Sequence, residues 1–232
     1  MVNNGEYKFN SSNGDINDKD LSHAIKSNLE AVMQASAMDI NVYCRDGVVQ
    51  LTGIVDLLAE KKQAEDIVKS FSVTKKVENN LTIAMDSNIT DKHIQKEVMN
   101  KLTTGENEAV RGVGVKVDDG VVTLMGRINN LKEVHTAMDM ASENRGVKDV
   151  VNKIEIDSLG SYTDAAINNK ILQELSQTDL SYRDVHRKVS DGVVTLFGYL
   201  DNSKEIELAK EIALGVEGVK KVINKLKTRV TK

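Results

Sequence analysis

Leu21, Ile25 and Leu29 recur at every fourth residue behind Asp18, a spacing that predicts an amphipathic helix with one buried stripe and a cap-type residue at its start. The period then changes to two at Ile40-x-Val42-x-Cys44, which predicts a half-buried strand. Asp46-Gly47 follows, the dipeptide of a tight hairpin whose residues must take positive φ, and Val49 and Leu51 share one face of the return strand. A second helix is expected to open at Asp56, with Glu60 four positions on and Ala64 on its inner face. Val77-x-x-x-Leu81-x-Ile83 closes the pattern as a third strand.

The same sequence of periods runs twice more. Asp46-Gly47-Val48-Val49-Gln50-Leu51-Thr52-Gly53 returns as Asp119-Gly120-Val121-Val122-Thr123-Leu124-Met125-Gly126 and as Asp191-Gly192-Val193-Val194-Thr195-Leu196-Phe197-Gly198, with the first glycines 73 and 72 residues apart. Ala64, Ala137 and Ala209 each follow that glycine by 17 residues, and Asn79, Asn152 and Asn224 by 32. Upstream, Asp91/Ile94/Val98/Leu102 and Asp164/Ile167/Ile171/Leu175 repeat the first helix. The later first strands are Val113-x-Val115-x-Val117 and Val185-x-Arg187-x-Val189, and the later second helices are expected from Asn129 and Asp201. A repeat at a fixed period decides the fold before any motif does.

The expected architecture is therefore α+β, an α/β sandwich built as three tandem α-β-β-α-β units. Each is a small three-stranded mixed sheet with two helices on one face. The expected organisation is a flexible or disordered N-terminus over 1–14 and units over 15–86, 87–158 and 159–232. Units of this size bury modest cores. Their joints, around 86–88 and 157–161, are short, so neighbouring units are expected to be close.

Composition narrows the function classes. Hydrophobic residues make up 40% and charged residues 28%, whereas aromatics are only 3% and Trp is absent, which leaves little for stacking on bases. A formal charge of −4 points away from nucleic acid as well. The charge is uneven, with eight basic against twelve acidic residues in 15–86, ten against twelve in 87–158, and twelve against ten in 159–232. The third unit ends in Lys220, Lys221, Lys225, Lys227, Arg229 and Lys232, a cluster suited to an anionic surface or to a solvated, protected strand edge. No window is long and apolar enough to span a membrane, and the first 18 residues contain no apolar run. The chain as given is thus expected to be cytoplasmic, or periplasmic or in the cell envelope if a signal peptide has been removed.

These residues resemble the BON domain, a bacterial module with a helix, an apolar strand, Asp-Gly-Val-Val-x-Leu-x-Gly, an Ala-containing helix and a Gly-Val-x-x-Val-x-Asn segment. The last segment reads Gly146-Val147-Lys148-Asp149-Val150-Val151-Asn152 and Gly218-Val219-Lys220-Lys221-Val222-Ile223-Asn224. The first unit departs from it, with Val73-Thr74 in place of Gly-Val, so its bend is expected to differ. The resemblance implies a non-enzymatic role. It points to contact with phospholipid membranes or envelope proteins in osmotic or envelope stress, and alternatively to a chaperone or assembly factor for client proteins.

Candidate chemistry is sparse. Gly47, Gly120 and Gly192 stand in no phosphate-loop pattern and are assigned to hairpin turns, whereas Gly53, Gly126 and Gly198 mark a bulge or a close backbone approach. Asn79, Asn152 and Asn224 are assigned to local backbone bonding. Cys44, the one cysteine, aligns with Val117 and Val189 and reads as a small buried residue. His23, His93, His135 and His186 sit at four different offsets of the repeat, and neither HExxH nor CxxC occurs. No catalytic, cofactor-binding or metal-binding residue is therefore expected, and no cofactor. Contact residues for a lipid or protein partner are expected at Lys220, Lys221, Lys225, Lys227, Arg229 and an exposed Leu57-Leu58. Three linked weak sites would gain avidity, a physical reason to repeat a modest domain.

Overall fold

A computed structural model describes residues 17–86, 88–104, 108–156, 162–180 and 182–229. Residues 1–14, expected to be flexible, and Lys232 lie outside these. The first repeat comprises α1 (Asp18–Met33), β1 (Ile40–Arg45), β2 (Val48–Val55), α2 (Leu58–Lys69) and β3 (Lys76–Ile83). The second runs α3 (Asp91–Thr104), β4 (Gly114–Asp118), β5 (Val121–Ile128), α4 (Leu131–Ser142) and β6 (Asp149–Ile156). The third runs α5 (Asp164–Ser176), β7 (Val185–Ser190), β8 (Val193–Leu200), α6 (Ser203–Gly215) and β9 (Lys221–Thr228). Short 3-10 turns at Gln34–Ala37, Glu108–Val110 and Tyr182–Asp184, which the periodicity does not predict, lead into the first strands.

Each repeat forms its own sheet, in the orders β1-β2-β3, β4-β5-β6 and β7-β8-β9. The hairpin pair is antiparallel and the pair closed across the second helix is parallel, giving the mixed sheet expected from the sequence. The inward residues of the central strand, such as Val49/Leu51 and Val194/Leu196, are fully buried against Leu21/Ile25/Leu29 and Ile167/Ile171/Leu175 of the first helices. Ala64, Ala137 and Ala209 are fully buried, as close approach of the second helix to the sheet requires.

The aspartates at the first-helix starts do more than begin a helix. They are the first helical residues, one position after the caps; Asn17 and Thr163 cap α1 and α5 with their side-chain oxygens. Asp18, Asp91 and Asp164 instead turn their carboxylates onto the hairpin, accepting the backbone N–H groups of Asp46/Gly47, Asp119/Gly120 and Asp191/Gly192. In each turn both residues have positive φ, for example 53° at Asp191 and 78° at Gly192, so the two N–H groups converge on one acceptor. The hairpin is thereby tied to the helix about 28 residues before it.

The second helices also start one residue later than the spacing suggests. Asn130 and Asn202, not Asn129 and Asp201, are the caps, accepting from the N–H of Glu133 and Glu205. In the first repeat the cap position is Leu57, and Glu60 supplies the polar contact by accepting the N–H groups of Asp56 and Leu57. As expected, the Val73 bend differs: Gly146 and Gly218 sit at φ 83° and 82°, a region Val73 does not enter.

The chain divides into two compact units between Asn88 and Ile89, repeat 1 in one and repeats 2 and 3 in the other. Within the second unit α4 lies against α6. Leu131 of α4 packs on the core of repeat 3, and Lys132 Nζ stands 3.4 Å from Glu211 Oε2. Repeats 2 and 3 thus bury apolar surface that neither covers alone.

Candidate functional site

Both helices of each repeat cover the same face of its sheet, so the opposite face is left open by the repeat's own helices. In repeat 3 the alternation of β9 turns Val222, Asn224 and Leu226 toward the helices and Lys221, Ile223, Lys225 and Lys227 outward. The register sets these beside outward residues of β8, Val193 opposite Lys221, Phe197 opposite Lys225 and Tyr199 opposite Lys227. Across the hairpin, His186 stands opposite Phe197 and Lys188 opposite Thr195. The outward positions of this sheet hold four lysines and no carboxylate.

The other two sheet faces are built differently. Repeat 1 presents Arg45 and Lys76 with Glu78, and Lys76 Nζ lies 2.6 Å from Glu78 Oε1. Repeat 2 presents Lys116, Arg127 and Lys153 against Asp118, Asp149 and Glu155, with Arg127 and Glu155 paired at 3.4 Å. The third face carries the most uncompensated charge of the three, and it also bears exposed rings, Phe197 at 42% and Tyr199 at 58% exposure. The His186 and Phe197 rings lie 5.5 Å apart at 34°. A shallow cavity of about 470 Å³ runs over this face between Phe197, Tyr199, Lys225 and Lys227, with the Asp184–Arg229 ion pair at its border.

The structure splits the basic cluster anticipated from sequence. Lys221, Lys225 and Lys227 share the open face. Lys220 lies at the far end by the hairpin turn, its N–H bonded to the Gly192 carbonyl and its side chain alongside that glycine. Arg229 is engaged in ion pairs with Asp184 and, at 3.0 Å, with Asp201, so it is not a free contact residue. Leu57-Leu58 is not the exposed apolar pair expected. Leu57 is half-buried, and Leu58 is 6% exposed because the helix begins at Leu58 itself and its first turn packs that side chain down.

The repeat-signature residues do structural work. Asn79, Asn152 and Asn224 accept the N–H of the residue two positions on, and Asn79 also donates to the Lys61 carbonyl and to Glu65. A 2.6 Å bond from Lys69 holds the Glu65 carboxyl below its usual range, with Asn79 assisting. Gly53 and Gly198, at φ 132° and 136°, let the carbonyls of Asp39 and Asp184 approach where a side chain would stand. Sequence reasoning missed Phe197 and Tyr199 as surface residues, although their phase opposite Val194 and Leu196 is the signal that finds them.

Cys44 is half-buried on the inner face of β1, and burial, with the charge of Asp18, pushes its thiol up to about 11. At pH 8 the native thiol is therefore protonated, and alkylation by iodoacetamide should be roughly tenfold to a hundredfold slower than in urea-unfolded protein. Equal rates in the two states would remove Cys44 from the core. Among the described residues, no three His, Cys, Asp or Glu side chains converge as metal ligands, and no helix is long and apolar enough to cross a membrane.

Comparison with known proteins agrees with the repeat. The family described as BON domain matches residues 17–85, 90–158 and 163–230. The osmotically-inducible protein Y of Escherichia coli (strain K12) is 32% identical over 146 residues, 60% of this chain and 73% of that protein. An uncharacterized protein in the gshII 5'region of Anaplasma centrale is 27% identical over 147 residues, 59% of this chain and 94% of that one. Among solved structures, CdsD, a structural protein of the type III secretion system of Chlamydia trachomatis, aligns over 90% of this chain and 94% of its own at 17% identity, with a TM-score of 0.27.

Proposed function

The chain belongs to the BON domain family, and from that premise we propose that it is a non-enzymatic binding protein whose third repeat docks on an anionic phospholipid surface. The observation that supports this reading is the open sheet face of repeat 3, where the outward strand positions hold four lysines and no carboxylate beside two exposed aromatic rings, and the neighbouring Asp184 is taken up by Arg229. Lysines near an anionic bilayer contribute about 1 kcal/mol each, so four give roughly 4 kcal/mol, a millimolar-class contact by charge alone. Phe197 and Tyr199 add apolar burial at head-group depth, where aromatic rings are favoured. The surrounding lysine stems can lie along the same surface while their ammonium groups reach the phosphates.

The inducibility of the Escherichia coli relative by osmotic conditions fits a protein that acts at a membrane under mechanical or osmotic load. Repeats 1 and 2, whose sheet faces set carboxylates beside their basic residues, would then serve as spacers or as seats for protein partners.

Flotation with liposomes tests the reading. Binding is expected to anionic vesicles containing phosphatidylglycerol, to weaken as salt rises from low to moderate, and to be absent on neutral phosphatidylcholine. Equal flotation with both vesicle types sinks the electrostatic reading. No flotation under any condition, together with suppressed aggregation of an unfolded client, would replace it with the chaperone reading.

A further inference from the structure

Arg187 occupies a position that the other two repeats give to the core. Its counterparts are Val42 and the buried Val115, and all three point inward from the first strand of their sheets. A guanidinium in place of a valine must be compensated if it is to be more than a cost. Compensation inside the protein is thin. Arg187 is half-buried and donates to two carbonyls, that of Asn168 through Nε and that of Val185 through Nη1, both at a long 3.4 Å. Among the described residues it forms no ion pair.

Repeat 1 shows what a fully satisfied cation looks like in this region of the fold. Lys26, on the first helix, places its ammonium 2.6 and 2.7 Å from the carbonyls of Ala37 and Ile40 and also pairs with Glu30 at 3.6 Å. Arg187 has no such set. Arg187 instead lines a cavity of about 490 Å³ by the free edge of β7, between α5 and the sheet. Arg183, exposed and likewise without an ion pair among the described residues, and His186 join it there, while Leu172, Val185 and Phe197 supply apolar wall. No acidic residue lines this cavity.

We infer that this cavity binds a phosphate-bearing anion, with Arg187 as the inner charge and Arg183 at the rim. Phosphate is the class indicated because a planar guanidinium offers paired N–H donors that match its oxygens, and two arginines line this one cavity with no acidic residue beside them. The size suits a small molecule or a single head group, and the apolar wall accommodates a carbon skeleton beside the phosphate. Burial lowers the Arg187 pKa, yet an arginine this exposed stays charged, so the site is cationic at every physiological pH. The inference differs from the membrane reading in its charged groups, Arg187 and Arg183 by the β7 edge against the outer lysines of the sheet, although Phe197 borders both.

The competing explanation is structural: an inward charge on an edge strand discourages pairing with another chain. Titration of the isotope-labelled full chain followed by NMR separates the two. Inorganic phosphate, glycerol 3-phosphate and short-chain phosphatidylglycerol below its micelle concentration would each be added at ionic strength fixed with chloride. The amide signals of Val185–Lys188 are expected to shift saturably. R187M should raise the midpoint roughly tenfold or more, the loss of a charge-assisted hydrogen-bond pair, and R187K should recover part of it. Saturation by all three ligands marks a free phosphate site, and saturation by the lipid alone marks a head-group site. Absence of saturable shifts with all three, or identical titrations of wild type and R187M, overturns the inference. K225E/K227E keeps the two readings apart, because it should abolish vesicle flotation and leave the phosphate titration intact.

Discussion

G198A is expected to unfold repeat 3, with a loss of about 3 kcal/mol or more in urea denaturation of the full chain. Two effects act together at this position. The backbone is at φ 136°, which a residue with a Cβ rarely adopts, and that Cβ would stand 1.9 Å from the carbonyl oxygen of Asp184. The obstructing atom is backbone at the entrance to β7, so relief requires moving the strand that pairs with β8 and not merely turning a side chain. G53A should behave the same way in repeat 1, where the contact would be 1.8 Å from the Asp39 oxygen. G126A is the internal comparison. Its φ is nearly the same at 134°, but the oxygen it meets, that of Gly112, is at 2.9 Å, so the loss should be clearly smaller. If G198A and G126A unfold at the same urea concentration as wild type, the close approach of the two strands is wrong.

The second large effect concerns the cationic face. Reversing Lys225 and Lys227 to Glu changes four units of charge at about 1 kcal/mol each, so K225E/K227E should weaken binding to anionic vesicles on the order of a thousandfold at low salt. Both side chains are exposed, and the ion pairs within repeat 3 among the described residues are made by Lys170, Lys210 and Arg229 instead. The urea midpoint should therefore stay within about 0.5 kcal/mol of wild type, as for surface changes away from packed features. A folded double variant that still floats with anionic vesicles would falsify the assignment of the contact to this sheet face. Moderate salt should shrink the difference between variant and wild type, because exposed charges are screened beyond a Debye length of about 8–10 Å.

The two predictions differ in how far the sequence alone supports them. The second glycine of the repeat is visible as a pattern in Gly53, Gly126 and Gly198, and a close approach is one of the two readings its placement allows. That Gly126 is more tolerant than the others depends on where the Gly112 carbonyl lies, which no spacing encodes. The lysines of β9 are also plain in the sequence. Their separation into a free set, a turn-bound Lys220 and an ion-paired Arg229 is not, because Asp184 and Asp201 reach Arg229 from residues 45 and 28 positions away.

Leu57-Leu58 and Arg187 mark the same boundary from opposite sides. Two adjacent leucines after a turn suggest a protruding apolar contact, but a helix onset shifted by one residue rotates side chains by about 100° and buries Leu58. Arg187 reads in sequence only as a poorer strand match, and its meaning comes from the cavity and from the carbonyls it fails to reach closely.

What the sequence by itself determined is the repeat, the order of elements in each unit, the hairpin turns and the inward stripe of the first helices and central strands. These follow from local chemistry, the period of burial and the positive φ of Asp-Gly, so they can be read along the chain. The tertiary structure alone decided which charges remain uncompensated. It brought Phe197 and Tyr199 among lysines of a strand nearly thirty residues away, set Leu131 of one repeat on the core of the next, and left Arg187 without a carboxylate. Charge compensation and packing between strands depend on distances across the fold, and sequence separation carries no measure of those.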